Sequence, residues 1–180
     1  MTDIAVFVGS IREKSFNKQL AQHIERLAPT DTTFTYVDIA SLPHFNEELE
    51  AEYPASAQAI KDIVEKADGV LFATPEYNRG IPGVLKNAID WASRPWGTNS
   101  FAGKPVAVVG ASGGALGTLA AQTQLRSVMV YLDAKIMGQP EVYVTMAGSV
   151  FHNDGTIDEA MTERLANVGA KFVERITTSK

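Results

Sequence analysis

Apolar residues fall into two spacings along this chain. Ile4-Ala5-Val6-Phe7-Val8, Val70-Leu71-Phe72-Ala73 and Val106-Ala107-Val108-Val109 are unbroken apolar runs. A strand with one wet face alternates, so a continuous run of this length predicts a strand covered on both faces. Phe34-Thr35-Tyr36-Val37-Asp38 alternates and predicts a strand with one open face. A weaker strand is expected over residues 141–145, after Pro140. Between these runs the period lengthens to that of a helix. Phe16, Leu20, Ile24 and Leu27 form one stripe that Pro29 ends, and Ile60, Ile63, Val64 and Ala67 form another over residues 55–67. Leu85, Ala88, Ile89 and Ala92 mark a third helix. Leu119, Leu125, Val128, Met129 and Leu132 mark a fourth over residues 118–132. Met161, Leu165, Val168, Phe172 and Ile176 line a last helix over 158–178, with Asp158 and Glu159 where its dipole favours acids.

Strand then helix, repeated five times, predicts an α/β fold: a parallel sheet with helices on both faces. Five strands match the flavodoxin-like doubly wound sheet of order 2-1-3-4-5 better than the six of a dinucleotide-binding Rossmann domain. No repeat, low-complexity tract or linker interrupts the alternation, so residues 1–180 are expected to be a single domain. Residues 41–54 form a long polar connection of a length that is often functional.

Composition narrows the function classes. A net charge of -5 and the lack of a Lys/Arg cluster argue against nucleic acid as a partner. No apolar run is long enough for a membrane span, and the start of the chain has no signal-peptide pattern. The expected setting is the cytoplasm, without a membrane partner. With no cysteine there is neither thiolate chemistry nor a Cys-based metal site. His23, His44 and His152 lie far apart without metal-binding spacing, so no metal is expected.

The chemistry is concentrated in three loops. In a doubly wound sheet the loops after strands 1, 3 and 4 meet at the carboxyl edge, beside the switch point where ligands bind. The first, residues 9–17, opens a helix whose free N–H groups attract an anion. Ser10, Ser15 and Asn17 can add hydroxyl and amide donors, and Arg12 a bidentate cation. The plainer reading is Ser15 as an N-cap and Arg12 as a solvated residue. The second loop, Pro75-Glu76-Tyr77-Asn78-Arg79-Gly80-Ile81-Pro82-Gly83, carries an aromatic, an amide and a cation, a set suited to a planar heterocycle with polar edges. The third, residues 110–117, is glycine-rich but matches neither a dinucleotide nor a Walker fingerprint. Gly110-Ala111-Ser112-Gly113-Gly114 fits a nucleophile elbow in outline, with Asp133 and His152 as the downstream partners a serine hydrolase requires.

Taken together, Gly9-Ser10-x-Arg12-x-x-Ser15-x-Asn17, Pro75-Glu76-Tyr77-Asn78, Pro82-Gly83-x-Leu85-Lys86-Asn87-Ala88-Ile89-Asp90-Trp91 and Ser112-Gly113-Gly114 closely resemble the NADPH-dependent FMN reductase family. That flavodoxin-like family includes quinone, chromate and azo-dye reductases. The resemblance implies bound FMN with NAD(P)H as co-substrate. It puts the phosphate on Ser10, Arg12, Ser15, Phe16 and Asn17, and the isoalloxazine against Pro75, Glu76, Tyr77 and Asn78, with Ser112 and Gly113 on another side. It implies no catalytic acid–base pair, since the flavin N5 carries the hydride. Tyr77, Asn78 and Arg126 are the candidate substrate contacts. Family members form dimers or tetramers with the flavin near a subunit interface, which Arg126 often faces. Arg79 adds a charge where the family varies. A flavodoxin-type electron carrier, sharing fold and cofactor but without NAD(P)H turnover, is the competing reading.

Overall fold

Residues 1–152 and 154–179 are described in the computed structural model. The apolar runs form the middle of one parallel sheet: β1 (Thr2–Val8), β3 (Gly69–Ala73) and β4 (Pro105–Ala111). With β2 (Thr32–Tyr36) on one edge and β5 (Lys135–Ile136) on the other, the order is β2-β1-β3-β4-β5. This is the flavodoxin-like arrangement. Every residue of β3 and β4 is buried, whereas β2 alternates, as its sequence requires.

Two cores cover the sheet. On one face α1 (Phe16–Leu27) and α6 (Glu159–Thr178) pack Leu20, Ile24, Leu165, Val168 and Phe172 against Ile4, Val6, Leu71 and Val109. On the other, α2 (Ala55–Lys66), α3 (Gly83–Ala92) and α4 (Leu119–Tyr131) cover Ala5, Phe7, Val70, Phe72 and Val108. Both sides of β1 and β3 are therefore dry. Each large side chain fully buried there contributes roughly 1.5–3 kcal/mol. Gly69 leaves room for α6, since a Cβ there would lie 2.6 Å from Ile176 Cδ1 and push that side chain aside.

The fifth strand departs from expectation. Only its second half lies where the sequence placed it, as β6 (Val142–Val144). β5 pairs with the start of β4 and β6 with its end. Between them Gly138 and Pro140 interrupt the ladder, and proline has no N–H to give it. Arg126 of α4 compensates, its guanidinium donating to the carbonyls of Met137 at 2.9 Å and Val108 at 3.2 Å. A short α5 (Ala147–Val150), not expected from the periodicity, follows. Leu119, one of the apolar residues that mark the fourth helix, is 47% exposed at the first turn of α4.

The long polar connection is a strap tied to α3. Asn87 accepts the Phe45 N–H at 2.7 Å and donates to the Pro43 carbonyl at 2.9 Å. Trp91 Nε1 donates to the same carbonyl at 2.9 Å. Phe45 and Tyr53 meet the Trp91 ring edge-on at 5.0 and 5.3 Å. Burial, and then the charge of Glu50, push the Tyr53 hydroxyl up to about 12, so it stays a donor to the Trp91 and Arg94 carbonyls.

Candidate active site

The loop after β1 leads into the N-terminus of α1. Buried Ser15 is the N-cap of α1, its Oγ accepting the Lys18 N–H at 3.3 Å. The N–H groups of Phe16 and Asn17, next in the first turn, have no hydrogen-bond partner among the described residues. Ser10 Oγ accepts the Arg12 N–H at 3.3 Å, curling the loop. The Arg12 guanidinium lies 5.0 Å from the centre of the Phe16 ring. Unpaired helix N–H groups beside a guanidinium and two hydroxyls form an anion-binding donor set. Asn17 does more than expected. Its amide is turned onto the backbone of Ala111 at the end of β4, leaving its main-chain N–H as its clearest donor toward the loop.

The loop after β3 is a tight hairpin. Tyr77 and Gly80 exchange backbone hydrogen bonds of 3.2 and 3.0 Å. Asn78 and Arg79, the two residues between, have φ of 50° and 63°. Two left-handed central residues are the signature of a type I′ turn. The hairpin is latched to α4 at two points. Gln124 donates to the Arg79 carbonyl at 3.0 Å, and Glu76 accepts the N–H groups of Ala120 and Ala121 at 2.9 and 3.1 Å. Thr118, the N-cap position of α4, makes no side-chain cap of its own, so Glu76 supplies it from another loop. The sequence reading missed this latch, because a cap delivered from 44 residues away has no local pattern.

The loop after β4 leaves the strand just past Gly110, where a Cβ would lie 2.0 Å from Thr118 Oγ1 and 2.5 Å from the Thr74 carbonyl. No other residue fits at that position. The Ser112 carbonyl then accepts the Ala147 N–H at 3.0 Å, so α5 braces the loop.

These three loops enclose one cleft of about 450 Å³. Its walls are Ser10, Arg12, Ser15, Phe16, Asn17, Pro75, Glu76, Tyr77, Ala111, Ser112 and Gly113. Every candidate cofactor residue except Asn78 is among them. Asn78 sits at the hairpin tip, outside the walls. Arg126 is also outside, engaged at the broken edge strand. Ala111 is the wall residue the sequence did not single out. The hydrolase arrangement fails on topology. Ser112 follows the carboxyl end of β4, whereas the Asp133 carbonyl accepts the Gly103 N–H beside that strand's start.

The family profile of the NADPH-dependent FMN reductases matches residues 2–149. The chain belongs to this family. It is 51% identical over 155 residues to a 2-hydroxy-1,4-benzoquinone reductase of Burkholderia sp, covering 86% of this chain and 81% of that protein. It is 43% identical to a quinone reductase of Pseudomonas putida over 178 residues, 98% and 96% of the two chains. Among solved structures it superposes on FerB, a flavoenzyme NAD(P)H:(acceptor) oxidoreductase from Paracoccus denitrificans, with a TM-score of 0.94 at 39% identity over 99% of both. As an FMN reductase family member the chain is an NAD(P)H-dependent oxidoreductase that uses FMN. The cleft fits that group. The unpartnered N–H groups of Phe16 and Asn17 suit a phosphate, and the half-exposed Tyr77 ring lies at the rim.

Proposed function

We propose that the chain, as one FMN-binding domain, is a cytoplasmic quinone reductase with a flavin in the three-loop cleft. Ser10, Arg12, Ser15, Phe16 and Asn17 hold the phosphate. Pro75, Glu76 and Tyr77 line one side of the ring, Ser112 and Gly113 another, and Asn78 shapes the hairpin. The observation that carries this is the convergence of unpaired helix N–H groups, the Arg12 cation and the Tyr77 hairpin on one cleft. The similarity to two quinone reductases supports the acceptor class.

When bound, the flavin supplies the redox chemistry, taking hydride from the nicotinamide and giving electrons to the acceptor. The protein's own work is positional. The α1 terminus and Arg12 neutralise the phosphate, and the Glu76 and Gln124 latches fix the hairpin. Tyr77, 52% exposed, gives substrate an apolar surface at the rim. Assembly as a homodimer or homotetramer is supported by α4, whose only charged residue is Arg126 and whose Leu119, Val130 and Tyr131 are exposed.

The test is spectroscopic. Purified protein carries the yellow oxidised-flavin band, anaerobic NADPH bleaches it, and a benzoquinone restores it. A coloured protein that neither NADH nor NADPH bleaches would be an electron carrier instead.

A further inference from the structure

A second cleft, of about 240 Å³, opens on the other side of the loop after β1. It shares Ser10 and Arg12 with the larger cleft, so the two meet at the proposed phosphate position. Its floor is apolar: Val8 from β1, with Val37 and Ile39 from the segment that follows β2. Ile11 stands over it, 63% exposed. Asp38 lies just past the carboxyl end of β2. Its Oδ1 accepts the Ala40 N–H at 3.0 Å, and Oδ2 has no hydrogen-bond partner among the described residues. The Tyr36 hydroxyl on this wall already donates to Glu25 at 2.8 Å, leaving its ring as the available surface. Arg12 and Lys18 balance Glu13 and Asp38 around the cleft.

In dinucleotide-binding Rossmann domains, which share the β1-α1-β2 start of this sheet, a pyrophosphate rests at the first helix N-terminus, and an acid further along takes the ribose hydroxyls. That is the layout here, with α1 and Asp38 in the two roles. An apolar plate and floor suit a purine. Continuity through Ser10 and Arg12 favours an occupant that runs on from the flavin phosphate over one stacked on the ring.

From this we infer that the second cleft is an adenylate subsite, and that the protein accepts FAD as well as FMN. The AMP half would lie between Ile11 and the Val37–Ile39 floor, with Asp38 on the ribose. The inference rests on the proposal that the larger cleft holds the flavin phosphate at the loop after β1.

The protein as purified is equilibrated with excess FMN and FAD in equal amounts and freed of unbound flavin, and the retained flavin is then released and identified by chromatography. FAD is expected within tenfold of FMN. Ile11→Ser and Asp38→Ala each lower the FAD-to-FMN ratio about tenfold, the scale of one lost apolar contact or charged hydrogen bond. FAD retained at under a hundredth of FMN overturns the subsite and leaves the FMN site standing. A ratio unmoved by both substitutions does the same. If the substitutions instead raise the KM for NADPH with the ratio unchanged, the cleft takes the nicotinamide dinucleotide and the FAD assignment falls. Retention of neither flavin overturns the larger-cleft reading and this one together.

Discussion

Asn17 and Ala111 exchange a pair of hydrogen bonds, the side-chain amide donating to the Ala111 carbonyl at 2.9 Å and accepting its N–H at 2.8 Å. This staple joins the first turn of α1 to the end of β4, so the loop after β1 and the Ser112 loop share one anchor. Both partners are buried. Asn17→Ala would leave the two main-chain groups of Ala111 without partners, each costing about 1–3 kcal/mol. The expected loss is roughly 2–6 kcal/mol in urea unfolding, with FMN affinity at least tenfold weaker as the two loops drift apart. A variant of unchanged stability would show that water replaces the staple.

Glu76 carries a second prediction, one that separates a structural role from a flavin contact. Its carboxylate caps α4 through Ala120 and Ala121. Glu76→Ala should cost about 1–2 kcal/mol, the usual loss for a helix cap. Glu76→Gln keeps an acceptor oxygen and loses only the charge–dipole part, about 0.3–1 kcal/mol. Thermal unfolding of the flavin-free and FMN-loaded forms checks this. A role confined to the flavin would lower only the loaded form.

The α3 sequence Lys86-Asn87-Ala88-Ile89-Asp90-Trp91 shows how far the chain can be read before it is folded. The sheet order and the two cores follow from period alone, because unbroken apolar runs have few ways to be covered. Convergence of the three loops follows from the sheet order. Specificity of a motif, however, does not say what its polar atoms touch. Asn87 and Trp91 mark the family strongly, yet their polar atoms bind Pro43 and Phe45 of the strap, outside the cleft walls. The Glu76 latch and the divided edge strand were illegible for a related reason. Each depends on a partner that local periodicity does not name. Asn87→Ala should therefore lower stability by about 2 kcal/mol while leaving FMN affinity within about threefold. Limited proteolysis near residues 47–50 would report the loosened strap. A large loss of flavin affinity without new cleavage would move Asn87 into the site.

Arg79 occupies a left-handed position with φ of 63°, where a type I′ turn favours glycine. Its partner, Glu76, lies 3.5 Å away, and Arg79 is 68% exposed, so the pair is worth at most about 1 kcal/mol. Relief of left-handed strain is worth about 1–2 kcal/mol. Arg79→Gly should therefore fold at least as stably as the parent, measured by chemical denaturation. A clear destabilisation would mean the Glu76 contact outweighs the turn.

His23 is expected to contribute to the acid sensitivity of the fold. It is 7% exposed on α1, with the Phe151 ring 5.8 Å away. Burial, and then the charge of Arg26, hold its pKa below the usual 6.5. The unfolded chain therefore takes up this proton more readily than the folded one. Stability from the neutral imidazole is complete above 6.5 and is lost as pH falls from there through the lower folded-state value. His23→Gln removes the titration but keeps a polar side chain. The melting temperature of the parent should fall faster than that of the variant between about pH 7 and pH 5, the range in which histidine charges. Parallel curves would place the acid sensitivity of the fold elsewhere. Phe151 shortly follows α5, which braces the Ser112 loop. Flavin release on acidification should accordingly precede global unfolding in the parent and not in the variant.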